Sequence, residues 1–277
     1  MCPIFEKAAP MVPEISRKTL PTYDFIKVFK ENDVIHIALN NPGQYNILTK
    51  ATMEELIIAF KWAQQEAGKL VLLESTDGGG FSSGSSNAEE TPANAEVMNE
   101  VFGRLLQAVF ETEKVIICAT QNSVRHRGVV LALCCDIILM SEMATFNIRT
   151  LPMGRFDPFA AYFLPRMLPW PIAMEMLTSQ FPFKAERAEQ LGIANAVLTQ
   201  RYFKDDVERF IYSKFDLSSG FVMAKAKKAA RAGLNKDFTE VMKEINKIYK
   251  NELMPSYDYK EGYDAYMGNR KAVWQNK

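Results

Sequence analysis

Residues 122–140 read NSVRHRGVVLALCCDIILM, which sets Arg125, His126 and Arg127 directly before Gly128 and an apolar run. His126 is one of two histidines in the chain, and imidazole titrates near enough to neutrality to give or take a proton. The two guanidiniums have the forked geometry that matches a carboxylate or a phosphate. Asp157 follows in the stretch FDPF. Its neighbours Phe156 and Phe159 can strip water from the carboxylate, raise its proton affinity and suit it to act as base or nucleophile. Each group also has a plainer reading: solvated loop side chains for the arginines and the histidine, and an aspartate turn ahead of Pro158 for Asp157.

The elements around these residues decide what they can reach. The unbroken apolar stretch GVVLALCC, after the strand VIICA, predicts a buried helix that starts near Arg127 and Gly128. The first amides of a helix lack internal acceptors, and the dipole there favours negative charge. A second amide from the loop FSSGSS, which turns at Gly84, can converge on the same point, because glycine lets backbone approach closely. Two such amides can hold a carbonyl oxygen as it becomes an oxyanion.

Upstream, DFIKVFKENDVIHIALNNP predicts a hairpin around KEND, with His36 as a structural residue of its second strand. TKATMEELIIAFKWAQQEA predicts a helix capped by Thr49 or Thr52, and KLVLLEST a buried strand. Downstream, CCDIILMSEMATFNI predicts a strand pair, and KAERAEQLGIANAVLT a short helix that ends at Gly192 and feeds a last strand. Residues after Tyr202 read as amphipathic, lysine-rich helices. The alternation of strand and helix predicts parallel βαβ units.

The chain has 277 residues, 48% of them hydrophobic, enough for one large core or two modest ones, with a single large α/β domain as the first expectation. Lys plus Arg and Asp plus Glu number 33 each, so no basic face invites nucleic acid. No apolar stretch reaches membrane-spanning length, and the N-terminal residues carry charges and prolines where a signal peptide needs an apolar core. The expectation is a cytoplasmic chain without nucleic-acid or membrane partners. Cys118, Cys134 and Cys135 lie in apolar runs and read as core filler, and with Cys2 they form no metal-ligand spacing.

The order of several motifs resembles the crotonase, or enoyl-CoA hydratase/isomerase, superfamily. FSSGSSNAEE is similar to that family's Phe-x-x-Gly-x-Asp loop, CCDIILMSEMATF to its Cys-Asp-Ile strand, and RAEQLGIANAVL to its Ala-x-x-x-Gly-Leu-Val segment. EGYDAYMGNRKAVWQ resembles the family's terminal tail. The matches span roughly residues 23 to 275. The proline-punctuated, weakly patterned residues 1–22 predict an extended arm, and the resemblance implies an α/β spiral of ββα units over residues 23–200 followed by a helical region at 201–277 that packs a homotrimer or hexamer. It also implies an acyl-CoA or carrier-bound acyl thioester as substrate, with coenzyme A present only as part of that substrate and no separate cofactor. Counted from Asp136, the amides that accept the thioester oxygen fall on Ser85 and Arg127. Arg270 and Lys271 fall near the family's nucleotide-phosphate positions, the alternative for them being a basic C-terminal helix. Arg125 is a further candidate for the coenzyme.

The same count reveals departures. Val130 and Thr150 stand where hydratases keep the two glutamates that activate water, and neither transfers a proton as a carboxylate does. Asp157 falls where certain isomerases and the dehalogenase branch place an acting aspartate, after a one-residue deletion in GRFDPFAAYFLPRM. The expectation is an isomerase, or a carbon–carbon hydrolase or decarboxylase, in which Asp157, assisted by His126, moves the proton. A non-catalytic thioester- or protein-binding homologue is the alternative. Bulky residues in place of small glycines should narrow or re-polarise the acyl pocket, leaving it to an anionic substrate or to none.

Overall fold

Strand–strand–helix units recur along the chain, each contributing a long strand to one sheet and a short one to another. The computed structural model describes residues 22–76, 80–86, 88–91, 93–148, 156–179, 181–232 and 249–277. Cys2, Thr150, Arg155 and nearly all of the expected arm at 1–22 lie outside them.

The main sheet holds β1 (Ile26–Glu31), β2 (Val34–Leu39), β4 (Leu70–Ser75), β6 (Val115–Thr120), β8 (Ile137–Ser141) and β11 (Ala196–Leu198), paired in that order. Only β1 runs antiparallel, because its hairpin turns through Asn32 and Asp33, both at positive φ. The short strands β3 (Ile47–Leu48) and β5 (Gly84–Ser85) pair with each other. β7 (Ser123–Arg125), β9 (Thr145–Asn147) and β10 (Phe183–Lys184) form a three-stranded sheet. A bridge from Ser82 to Val124 joins these two small sheets. The strands expected to pair within CCDIILMSEMATFNI therefore belong to different sheets: β8 lies between β6 and β11, and β9 between β7 and β10. Continuous apolar character suits both, and pattern alone does not assign partners.

Alternation along the main strands gives the sheet two apolar faces. Ile35, Ile37, Val71, Leu73, Ile116 and Cys118 join the large core formed with α1 (Lys50–Gln65), α2 (Ala95–Glu111) and α3 (Arg127–Leu133). Val34, Leu70, Leu72, Ile117 and Leu139 face Phe203 and Val207 of α7 (Phe203–Phe215). On that second face His36 bonds Glu74 through Nδ1 at 2.8 Å and stacks on Phe29, the structural role its strand position implies. Thr49, rather than Thr52, caps α1, accepting from the Thr52 amide at 3.1 Å. Among the described residues the other α-helices are α4 (Pro158–Met167), α5 (Trp170–Thr178), α6 (Ala185–Gln190), α8 (Gly220–Ala232) and α9 (Tyr257–Met267). Gly192, at φ +73°, closes the turn after α6.

α8 is fastened to the sheet by charge. Asp136 accepts the Ile116 amide at 2.8 Å and pairs with Lys227 at 2.6 Å and Arg231 at 3.1 Å. After α9 the chain runs without helix to Lys277, so the basic C-terminal helix is not formed. Asp258 accepts the amides of Gln275 and Asn276, Glu261 that of Val273, and the Trp274 indole donates to the Leu217 carbonyl. Cys118 and Cys134 are buried free thiols, and burial pushes both thiols up. Among the described residues no helix is long and apolar enough to cross a membrane, and no group of His, Cys, Asp or Glu is placed to hold a metal ion.

Candidate active site

The two backbone segments singled out for an oxyanion meet in contact. A Cβ on Gly84 would lie 2.5 Å from the Arg125 carbonyl oxygen and 2.7 Å from the His126 Cβ, and Gly84 sits at φ +84°. A Cβ on Gly128 would lie 2.9 Å from the Ser82 Cβ. Both glycines are thus required by close approach, and they bring the Ser85 end of β5 against the first turn of α3. His126 makes the join, turning β7 into α3 at φ 48°, ψ −125°. That conformation is rare outside glycine and costs on the order of 1–3 kcal/mol. It is held by the His126 amide donating to the Asn147 carbonyl at 2.8 Å and by its own carbonyl accepting from Val129 at 3.0 Å. The His126 side chain is half-buried beside Gly84.

Arg127 departs furthest from expectation. Its side chain is not a solvated loop group but is buried, 5% exposed. Nε pairs with Glu90 Oε1 at 3.0 Å, Nη1 donates to the Met98 carbonyl at 2.6 Å, and Nη2 donates to Asn99 Oδ1. The guanidinium carbon stands 5.0 Å from the Phe102 ring centre and 6.0 Å from that of Phe159. A cation in this position needs desolvated partners, and Glu90 and the aromatic faces supply them. The fork is therefore committed to the protein and is not held out to a substrate carboxylate.

Asp157 is the N-cap of α4, ahead of Pro158 at the first helical position. Its Oδ1 accepts the Phe159 and Ala160 amides at 2.9 and 2.8 Å, while Oδ2 lies 3.9 Å from Arg127 Nε. Burial raises the Asp157 carboxyl above its usual range, and the charge of Glu90 adds to this; the two capping amides and Arg127 offset only part. Phe156, expected to help desolvate it, is exposed, and Phe159 is half-buried. The aspartate-turn reading is thus realised, with one carboxylate oxygen left facing the arginine.

Val130 is fully buried within α3, so the first hydratase position carries an aliphatic side chain. Arg125 is exposed and donates from Nε to Ser123 Oγ at 2.9 Å. Arg166 lies over the Tyr162 ring and donates to its carbonyl. Arg270 is clamped in a two-pronged pair with Glu261, at 2.6 and 2.9 Å, and Lys271 stands 3.4 Å from Asp216. The Arg270 bonds hold the Glu261 carboxyl down at about 2. Sequence reasoning missed Glu90 and Asn99. The available signal was Arg127 itself, since a cation opening an all-apolar helix must find an acceptor.

Short strands carrying glycine turns against the head of a buried helix, repeated around a parallel sheet, define the crotonase fold, and the solved structures agree. An enoyl-CoA hydratase subunit of Geobacillus kaustophilus superposes with a TM-score of 0.82 at 24% identity, covering 92% of this chain and 99% of that one. An enoyl-CoA hydratase of Bacillus anthracis gives 0.84 at 20% identity, covering 92% and 100%. The chain belongs to the enoyl-CoA hydratase/isomerase family, whose sequence profile matches residues 29–277. Among curated relatives, enoyl-CoA hydratase domain-containing protein 3, mitochondrial, of Xenopus laevis is 27% identical over 249 residues, covering 88% of this chain and 84% of the relative. The crotonyl-CoA hydratase of Syntrophomonas wolfei is 26% identical over 264 residues, covering 92% and 99%.

Proposed function

We propose that the chain acts on an acyl-CoA or carrier-bound acyl thioester as an isomerase rather than as a hydratase. The thioester oxygen accepts the Ser85 and Arg127 amides. Asp157 Oδ2 takes the proton from the α-carbon as the C–H electron pair moves into the enolate, then returns it to the γ-carbon, shifting the double bond. The observation that carries this reading is the buried Asp157, a carboxyl of raised proton affinity one arginine side chain away from a candidate oxyanion amide. His126, beside Gly84, assists by hydrogen bonding at the carbonyl, and Arg125, Arg270 and Lys271 are the candidates for the coenzyme phosphates. Decarboxylation and carbon–carbon hydrolysis of an anionic acyl group fit less well, because the Arg127 guanidinium already pairs with Glu90 and lies near Asp157.

With Val130 at the first glutamate position, hydration of crotonyl-CoA should run below about one turnover per second, short of the usual enzyme range. A spectrophotometric assay of crotonyl-CoA consumption, run beside a panel of enoyl-CoA thioesters, tests this. Faster hydration would overturn the isomerase reading.

The second reading, a thioester- or protein-binding homologue without turnover, is favoured by the commitment of Asp157 Oδ1 to helix capping. It becomes the better one if every thioester in the panel binds and none reacts.

We further propose a homotrimer or hexamer, since Trp170, Phe181, Tyr212, Leu217 and Tyr263 are exposed apolar surface of the kind that partners cover. Light scattering at micromolar concentration should give three or six times the 31.4 kDa chain mass; a monomer refutes the assembly.

A further inference from the structure

Arg127 has two parts with different tasks. Its amide opens α3 beside Gly84, and its side chain leaves that point inward, into the space between α2 and α4. There the rings of Phe102 and Phe159 meet edge to face, 5.1 Å between centres, with the guanidinium near both. An acyl chain whose carbonyl oxygen sits at the same amide and which runs inward from it would meet the space that the Arg127 side chain fills between Phe102 and Phe159. An arginine side chain is about as long as a five-carbon acyl tail, and here it is not free to swing aside. Glu90, in the loop before α2, holds Nε; Met98 and Asn99, on the first turns of α2, hold Nη1 and Nη2. Of these partners Glu90 alone carries charge, and its side chain is 14% exposed against 5% for Arg127, so the latch sits at the rim and the bolt inside.

We infer that Arg127, latched by Glu90, forms the end wall of the acyl site and restricts the chain to short, uncharged acyl groups, with Glu90 as the positioning residue for that wall. The inference rests on the thioester reading above. Glu90 and Arg127 neutralise each other, so the wall offers no net positive charge to a carboxylate-bearing acyl group, which Asp157 would also repel once ionised. Removing the Glu90 charge would weaken the hold on Nε and leave the carboxylate of Asp157, 3.9 Å away, to draw the guanidinium, so the wall would shift towards α4.

The test is calorimetric binding of acetyl-CoA, butyryl-CoA, decanoyl-CoA and free coenzyme A to the full chain and to three variants, with circular dichroism confirming that each variant is folded. The parent should bind butyryl-CoA about tenfold or more tightly than decanoyl-CoA, whereas an open apolar pocket would favour the longer chain. Arg127→Ala should abolish or reverse that ratio, Glu90→Gln should move it partway in the same direction, and Arg127→Met, similar in volume but without the guanidinium that is latched, should move it at least as far as Glu90→Gln and less far than Arg127→Ala. The ratio is the deciding quantity, because a general loss of stability lowers all affinities together. Equal affinity of the parent for both lengths, or a ratio untouched in folded Arg127→Ala, overturns the inference while leaving the thioester reading intact. If the thioesters bind no better than free coenzyme A, both fall.

Discussion

If the chain carries the proposed isomerisation, Asp157→Asn should fold and bind thioester like the parent while losing about a hundredfold or more of the turnover rate, the usual cost of removing a general base. The structure makes this a clean substitution. The amide oxygen of asparagine can accept the Phe159 and Ala160 amides as Asp157 Oδ1 does, and asparagine caps helices about as well as aspartate. What disappears is the second oxygen and its proton affinity. Asp157→Ala removes both functions and should cost about 1 kcal/mol of stability besides.

The pH dependence has a definite sign. A carboxylate base works only when ionised, so kcat/KM should fall as pH drops through a pKa displaced upward from 3.8 by burial. Folding linkage runs the other way. The native state holds this proton more tightly than the unfolded chain, so the contribution of Asp157 to stability declines as pH rises from about 3.8 to its folded value, and Asp157→Asn should remove that decline. Melting curves and rate profiles on the same samples measure both. An asparagine variant with parental rate would reduce Asp157 to a helix cap.

The other large effect is expected far from the chemistry, at Asp136. Replacing it with alanine strips the carboxylate from Lys227, which is 7% exposed, and from Arg231, and frees the Ile116 amide. The Asp136 side chain is 21% exposed and that of Arg231 24%, so solvent screens much of the cluster and the cost, set mainly by the Lys227 amine left without its carboxylate, should be on the order of 1–3 kcal/mol. Urea unfolding at neutral pH should register the loss. Burial holds the Lys227 amine down at about 8 against its ordinary 10.5, even with Asp136 beside it. Between those values the unfolded chain binds the proton and the native state does not, so stability from this group should rise as pH climbs from about 8 to 10.5. Lys227→Met should flatten that rise; a rise of the same size in the variant would place the titration elsewhere.

Local pattern was enough for much of this architecture. The hairpin at Asn32 and Asp33, a threonine cap at Thr49 or Thr52, the buried helix after Arg127 and the glycine stop at Gly192 all follow from turn chemistry and periodicity, which act over a few residues. Sheet membership of β8 and β9 was not legible, because a buried strand is apolar whichever neighbours it takes. The candidate site divides along the same line. That Gly84 and Gly128 permit close approach was readable from glycine itself, whereas the inward course of the Arg127 side chain depended on Glu90, Met98 and Asn99, residues 28 to 37 positions upstream whose only shared signal is that they become neighbours in space. Asp157 was visible as a candidate because FDPF is short and distinctive. That it caps a helix and faces an arginine at once required both partners to be placed.

The main sheet is assembled in the order in which its strands are made. β1, β2, β4, β6, β8 and β11 are spatial neighbours in the same sequence in which they occur in the chain. As the polypeptide emerges during synthesis, every new strand can dock on the edge left by the one before, with no earlier pair to be parted. The cost falls on the nascent chain, which at each stage exposes an open, apolar strand edge ready to capture a neighbouring copy. The β8 edge is covered late: β11, only three residues long and half-buried, pairs with it after some fifty intervening residues and is itself the last strand of the sheet. A ribosome paused between β8 and β11 would present the chain in its most aggregation-prone form, and substitutions that weaken the short β11 would lengthen that interval in the finished protein as well.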